Sequence, residues 1–149
     1  MQKASFFHLI VTMVILSLFL SGCSRHKAYS SDISFSADEN INLNIFGQSS
    51  PLKIDIYQLK NNTAFNEATE IGAIAGDTVE KDIISIESFM IQPATKKIYT
   101  LLINGQTKYL GIVGEFRAPA VNGWKVLLDV PPKKETLIIV NGNKFSMNK

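Results

Sequence analysis

Short runs in which apolar and polar residues alternate constrain the fold of this chain more than any other feature. In residues 41–45, Ile41, Leu43 and Ile45 alternate with asparagines, and residues 52–57 follow the same pattern. Further apolar-rich runs occupy residues 82–91, 97–103, 107–117, 124–130 and 135–140. A period of two is typical of strands with one buried face. Ile and Val, which favour strands, together number 26 of the 149 residues.

Turn-forming residues separate these runs and indicate the architecture. Asn104-Gly105 is the strongest hairpin signal, because both residues tolerate the positive φ of a type I′ turn. Seven or eight short strands separated by such turns predict an all-β domain built as a two-sheet β-sandwich. Residues 61–70 break the pattern and predict one short helix packed on the edge of the sandwich.

Two strand faces are assigned to the core, and Met90 is expected to fill a gap in it. The faces consist of Trp124, Val126, Leu128 and Val130 on one strand and of Leu110, Ile112 and Phe116 on another. A Trp beside a loop is also compatible with an interface anchor, but its place in an alternating strand favours packing. Gly111 and Gly114 lie within a strand, where a missing Cβ allows a bulge or close packing.

The first 22 residues have the pattern of a secretory signal peptide. Lys3 is followed by a 12-residue apolar run at 9–20, which is short for a membrane-spanning helix of about 20 residues. The run leads into Leu-Ser-Gly-Cys, which resembles a bacterial lipobox, with Cys23 as the acylated residue and the new N-terminus. The alternative is that Cys23 is an ordinary small residue in an uncleaved anchor helix.

The leader divides the chain into three expected parts. Residues 1–22 form the lipoprotein signal peptide, residues 23–32 the lipidated Cys23 and a polar tether, and residues 33–149 the sandwich domain. Ser24 follows the cysteine, where an Asp resembles an inner-membrane retention signal in enteric-type bacteria. Its absence favours a lipid-anchored protein in the outer membrane that faces the periplasm.

Several function classes are excluded by residue counts. One Cys and two His allow no intramolecular disulfide, no Cys/His zinc site and no nucleophile–histidine pair in the mature chain. The whole chain has a net charge of +2, and removal of Lys3 with the leader leaves +1, so no nucleic-acid footprint is present. No metal and no cofactor are expected.

The acidic residues do not indicate catalysis either. Asp55, Glu87, Glu115 and Asp129 are expected to face outward along strands, where solvation is the default. The acidic cluster at residues 77–82 is expected to be a surface loop, because it lacks the ligand spacing of a calcium site. The sequence therefore predicts that the chain is not an enzyme.

Ordered blocks of residues resemble the TssJ family of type VI secretion outer-membrane lipoproteins. The resemblance covers nearly the whole mature chain, and its most specific block is Lys108 to Arg117 followed by Trp124-Lys125. The other blocks are Pro51-Leu52, Ile56 to Leu59, Phe65 to Ala68, Gly76-Asp77, Lys81-Asp82 and the strand that ends at Pro93. The resemblance implies a transthyretin-like β-sandwich with an added short helix.

The resemblance also implies a function and a site. Family members anchor the type VI secretion membrane complex to the outer membrane by binding the periplasmic part of TssM, the large inner-membrane subunit. The contact is attributed to loops at one end of the sandwich, notably the loop between the first two strands. In this chain that loop is Phe46, Gly47, Gln48, Ser49 and Ser50. Phe46 is either the anchor of this contact or a cover for the end of the sandwich.

Two alternatives remain at this stage. One is a periplasm-facing sandwich lipoprotein that serves as assembly or pilot protein of another envelope machine. The other is a carbohydrate-active lipoprotein, which requires a cleft with convergent acids.

Overall fold

Eight strands and three short helices make up the part of the chain that the structure describes. The computed structural model describes residues 27–74, 76–133 and 136–148. The strands are β1 (Tyr29–Ile41), β2 (Leu52–Leu59), β3 (Ile83–Ile91), β4 (Lys96–Ile103), β5 (Tyr109–Gly114), β6 (Lys125–Asp129), β7 (Leu137–Gly142) and β8 (Lys144–Met147). The helices are α1 (Thr63–Glu67), α2 (Ile71–Ile74) and α3 (Asp77–Glu80).

These strands form two four-stranded sheets, which confirms the predicted two-sheet, all-β architecture. Sheet A has the strand order β4-β1-β7-β8, and sheet B has the order β3-β2-β5-β6. In sheet A, β1 pairs antiparallel with β4 and parallel with β7. All neighbours in sheet B are antiparallel. The first strand of the domain therefore lies in the interior of sheet A.

The core lies between the two sheets and follows the alternation of the sequence. Ile33 and Phe35 on β1 are buried, as are Ile54 and Phe89 of sheet B, and the rings of Phe35 and Phe89 meet edge to face at 5.0 Å. The expected core residues Leu110, Ile112, Phe116, Trp124 and Leu128 are buried, whereas Val126 and Val130 are half-buried. Each sheet thus has one apolar face that water does not reach.

Met90 does not fill the core, and the prediction for it is wrong. Phe89 and Ile91 occupy the inward positions of β3, so alternation turns Met90 outward, where it is 49% exposed.

The acidic residues that were expected to face outward also differ from the structure at two places. Asp55 is buried and accepts a hydrogen bond from the Ser88 hydroxyl at 2.5 Å. Glu87 is half-buried and accepts one from Tyr99 at 2.9 Å, whereas Glu115 and Asp129 are exposed.

The first strand begins earlier than the sequence predicts. β1 begins at Tyr29, inside the expected tether, and the alternating residues 42–45 belong to a loop instead of a strand. Residues 29–36 pair with β4 from Ile103 back to Lys96, so the ladder of backbone hydrogen bonds outweighs the polarity of Ser30 and Ser31. β8 was not predicted, because an alternating run of only four residues is too short to stand out in the sequence.

The predicted tight hairpin at Asn104-Gly105 is also wrong. β4 and β5 flank this turn, but β4 lies in sheet A and β5 lies in sheet B, so the turn crosses between sheets. The buried carboxamide of Gln58 holds the crossing: its oxygen accepts from the Asn104 amide and the Thr107 hydroxyl, both at 2.7 Å. A local turn signal cannot distinguish a hairpin from a sheet change.

The helical segment packs on the outer face of sheet B, not on its edge. The predicted short helix is present as α1, and α2 and α3 extend the segment, so Asp77–Glu80 is helical. Phe65 of α1 is buried against β5, where Gly111 leaves room for its ring. The Lys125 ammonium group donates to the carbonyl oxygens of Phe65, Asn66 and Ala68 at 2.5, 2.8 and 2.6 Å. This lysine fixes the end of α1 to β6.

Candidate functional site

The loop between β1 and β2, residues 42–51, lies at one end of the sandwich and contains all five predicted contact residues. We call it the tip loop. It begins at Asn42, which has a φ of 47° and is buried. Asn tolerates this left-handed conformation better than most residues. Its side-chain nitrogen donates to Pro51 O, and its side-chain oxygen accepts from the Arg117 amide, both at 2.8 Å. The base of the tip loop is therefore fixed.

Asn44 organises the exposed part of the tip loop. Its side-chain oxygen accepts from the amides of Phe46 and Gln48, at 2.9 and 3.0 Å. Its side-chain nitrogen donates to Gln48 Oε1 at 2.8 Å, and Gly47 takes a φ of 75° to complete the turn. Such bonds from an Asn side chain to the following backbone define a compact turn.

Ser49 and Ser50 close the tip loop against its own base. The Ser49 hydroxyl accepts from the Ile41 amide at 3.0 Å and donates to the Ile41 carbonyl at 2.9 Å. The Ser50 hydroxyl donates to the Asn42 carbonyl at 2.9 Å. These two predicted contact residues therefore have a structural role, because they hold the loop in shape through backbone partners.

Phe46 projects from this fixed loop into solvent. Its side chain is 79% exposed, so it does not cover the end of the sandwich. Its neighbour Ile45, which sequence reasoning assigned to a strand, is 89% exposed. Val121, which lies between β5 and β6, is also apolar and is 91% exposed. The sequence did not single out this residue. In the sequence, Val121 stands between Ala-Pro-Ala and Asn-Gly, so it is an aliphatic residue within a turn-rich loop. This pattern could have identified it as an exposed apolar residue.

Charged side chains near this end of sheet B are engaged with one another. The Lys53 ammonium group contacts Glu115 at 2.7 Å and Asp55 at 3.3 Å. The hydrogen bond to Glu115 is the largest cause of the raised pKa of Lys53. Residues 42–51 carry no charged side chain. The tip loop therefore offers apolar contact and hydrogen bonds, and no ion pairs of its own.

The described part of the chain contains no candidate metal centre. Within these residues, no group of three His, Cys, Asp or Glu side chains is arranged to hold a metal ion. Two open depressions, of about 510 and 740 Å³, are lined by residues outside the tip loop, around Asp38 and Asn141 and around Lys60 and Tyr109. In the same residues, no helix is long and apolar enough to cross a membrane. Cys23 lies outside the described residues.

A family model matches most of the chain. The family is described as "Type VI secretion lipoprotein, VasD, EvfM, TssJ, VC_A0113", and its model matches residues 30–144. The match spans β1 to the start of β8, and so includes both sheets and the tip loop. No curated protein is significantly similar to the chain.

Solved structures share the fold over nearly their whole length. A chain of a structure described as "Type VI membrane complex" is 25% identical, with a TM-score of 0.74, over 83% of this chain and all of that chain (100%). The lipoprotein TssJ1 from Pseudomonas aeruginosa is 25% identical, with a TM-score of 0.68, over 82% of this chain and 96% of that chain. A chain of the structure "T6SS protein TssM C-terminal domain (869-1107) from EAEC" is 26% identical, with a TM-score of 0.71, over 80% and 98%.

Proposed function

This chain belongs to the type VI secretion lipoprotein family that includes TssJ, and from that premise we propose that it anchors the trans-envelope complex of the secretion system to the outer membrane. In this proposal it binds the periplasmic part of TssM. The family is a lipoprotein component of a secretion machine and not an enzyme. The family match also assigns the chain to type VI secretion, so the alternative of a pilot protein for another envelope machine is not retained.

The membrane half of the proposal rests on Cys23. Acylation of its thiol and of the new N-terminal amine supplies more than one acyl chain, and two chains hold a protein firmly on a membrane. The polar residues between Cys23 and β1 and the absence of Asp after the cysteine support an outer-membrane position that faces the periplasm. Cys23→Ala is expected to abolish acyl labelling and recovery in the outer-membrane fraction. Labelling that persists in this variant would refute the anchor.

The partner half of the proposal is carried by one observation: the tip loop is held rigid while Phe46 stays exposed. Aromatic residues dominate the energetics of interfaces, and a loop that is already ordered loses little entropy on binding. The similarity to a chain in the structure that names the TssM C-terminal domain supports TssM as the partner. The other predicted contact residues then hold the Phe46 side chain in position for binding; these are Gly47, Gln48, Ser49 and Ser50.

The test compares two exposed apolar side chains of the acylated, full-length protein in detergent micelles. Phe46→Ser is expected to raise the Kd for the periplasmic part of TssM at least tenfold, which corresponds to about 1.4 kcal/mol. The matched control is Ile98→Ser, because Ile98 is 68% exposed on β4, at an edge of sheet A. The control is expected to bind like the wild type. Unchanged affinity of a folded Phe46→Ser protein would move the interface elsewhere, with residues 61–70 tested next.

A further inference from the structure

The three most exposed large apolar side chains of the described residues share one end of the sandwich but come from two loops. Ile45 and Phe46 belong to the tip loop, and Val121 belongs to the loop between β5 and β6, residues 115–124, which we call the second loop. They are 89%, 79% and 91% exposed. Single exposed apolar residues need no explanation, whereas several at one place mark an interaction surface.

Hydrogen bonds join the two loops into one unit. The Arg117 amide of the second loop donates to Asn42 in the tip loop at 2.8 Å. Asn143, in the turn between β7 and β8, contacts both loops: its side-chain oxygen accepts from the Leu43 amide at 2.7 Å, and its backbone carbonyl accepts from the Ala120 amide at 3.0 Å. The relative position of the two loops is therefore set before any partner binds.

The second loop is also fixed at its far side. The Phe145 amide on β8 donates to the Gly123 carbonyl at 2.6 Å. A Cβ on Gly123 would lie 2.5 Å from the Cβ of Lys144, so only glycine allows the second loop to approach β8 this closely. Val121 thus projects from a loop that is tied to sheet A on one side and to the tip loop on the other.

The position of this apolar surface relative to the lipid anchor favours a protein partner over a lipid bilayer. The tether joins the domain at Tyr29, the first residue of β1, whereas the tip loop follows Ile41, the last residue of β1. A strand of 13 residues separates its ends by roughly 40 Å. Cys23 precedes Tyr29 by six residues, which span at most about 20 Å. With the lipid-bearing cysteine at one end of β1, the apolar surface at the other end points away from the bilayer.

We propose that Ile45, Phe46 and Val121 form one preformed docking surface, with the second loop as its other half, for an apolar pocket with a polar rim on a periplasmic protein. The rim is uncharged opposite the tip loop, which has asparagine, glutamine and serine side chains but no charge, whereas the second loop carries Arg117 and a Glu115 that is paired with Lys53. This inference rests on the proposed function, and the occupant is the periplasmic part of TssM. Asn143 and Asn42 act as positioning residues that hold the two loops together.

The experiment is a double-mutant cycle on the acylated, full-length protein. The Kd for the periplasmic part of TssM is measured for the wild type, Val121→Ser, Phe46→Ser, the double variant and the Ile98→Ser control, each with an unchanged melting temperature. Val121→Ser is expected to weaken binding about five- to tenfold. The double variant is expected to lose less than the product of the two single losses, because both side chains enter one pocket.

One result would overturn the inference alone, and another would overturn the proposed function together with it. If Phe46→Ser weakens binding while Val121→Ser behaves like Ile98→Ser, the tip loop binds TssM and the second loop does not take part. If neither variant weakens binding, the proposed interface itself is wrong. A second measurement places an environment-sensitive label on a Val121→Cys protein in proteoliposomes. Quenching of this label by lipid-borne quenchers would show that the surface enters the membrane, and it would refute the protein pocket.

Discussion

Two phenylalanines outside the sandwich core, Phe46 and Phe65, have opposite surroundings. Phe65 in α1 is buried, and it packs on the outer face of sheet B beside Tyr57 at a ring distance of 6.3 Å. Phe46 in the tip loop is 79% exposed, although its backbone is fixed by the side chain of Asn44. The first segment is held by apolar packing and the second by polar bonds to the backbone. This difference separates an aromatic ring that stabilises the fold from one that is left available for binding.

The strongest test of this comparison is truncation of the buried ring. Phe65→Ala is expected to lower the free energy of unfolding by about 3–5 kcal/mol, because it leaves a cavity between α1 and sheet B. Chemical denaturation followed by circular dichroism measures this loss. A loss below about 1 kcal/mol would mean that the helical segment contributes little to the stability of the domain.

Filling the space below Phe65 should have a smaller effect of the same sign. In Gly111→Ala the new Cβ would lie 2.5 Å from Phe65 Cε2, so the ring has to move. We expect a destabilisation of about 1–3 kcal/mol. The matched control is Gly72→Ala, because no atom beyond its chain neighbours and its own helix backbone lies within 4 Å of a Cβ at Gly72. Equal stability of the two variants would show that α1 shifts freely over the sheet.

The polar clamp on α1 is tested by Lys125→Met, which keeps the length of the side chain and removes its three hydrogen bonds. Burial lowers the pKa of Lys125, because it disfavours the charged form of the ammonium group. This cost offsets part of the stability gained from the three hydrogen bonds. The net loss of unfolding free energy is therefore expected to be about 1 kcal/mol. Faster amide hydrogen exchange in residues 63–68 would locate the loss, and uniform exchange across the domain would contradict a local clamp.

An alkaline titration tests the packing around Phe65 at its neighbour Tyr57. Burial, followed by the charge of Asp55, raises the pKa of Tyr57 above its ordinary value of 10.0. The folded state therefore holds this proton more tightly than the unfolded state. The associated stability is complete below pH 10 and is lost as the pH rises through the folded pKa. The drop in unfolding midpoint between about pH 8 and about pH 11 should be smaller in Tyr57→Phe than in the wild type. Identical drops would place Tyr57 in water.

The smallest expected effect on stability comes from removing the exposed ring of Phe46. Phe46→Ala should change the free energy of unfolding by less than about 0.5 kcal/mol, because the ring has little packing to lose. The bonds to Asn44 use the backbone amide of Phe46 and survive the substitution. A loss as large as that of Phe65→Ala would mean that the ring packs on the domain and is not available to a partner.

The sandwich could be predicted from sequence because alternation encodes burial directly. Trp124 and Ile112 occupy the inward positions that the period of two assigns to them. The same reasoning failed at Ile45, where alternation continues into a loop whose backbone is bonded to the side chains of Asn44 and Ser50. It also failed at Tyr29, because the polar residues that follow it are placed in a strand by pairing with distant β4.

The candidate surface was only partly predictable, for a related reason. The tip loop was identified through a resemblance to a family, and the exposure of Phe46 is consistent with that choice. Val121 was missed because its place beside the tip loop depends on contacts of the second loop: Arg117 bonds to Asn42, and Ala120 bonds to Asn143. These contacts connect residues that are far apart in the chain, and no local pattern records them.

The central position of β1 has a mechanical consequence. Tension between a lipid anchor before Tyr29 and a partner bound just after Ile41 would run along this one strand. β1 is paired on one side with β4 over residues 29–36 and on the other with β7 over residues 34–37. In both ladders the hydrogen bonds lie across the direction of pull, so they are loaded together in shear and cannot open one after another. A pull along this line therefore meets the resistance of both ladders at once.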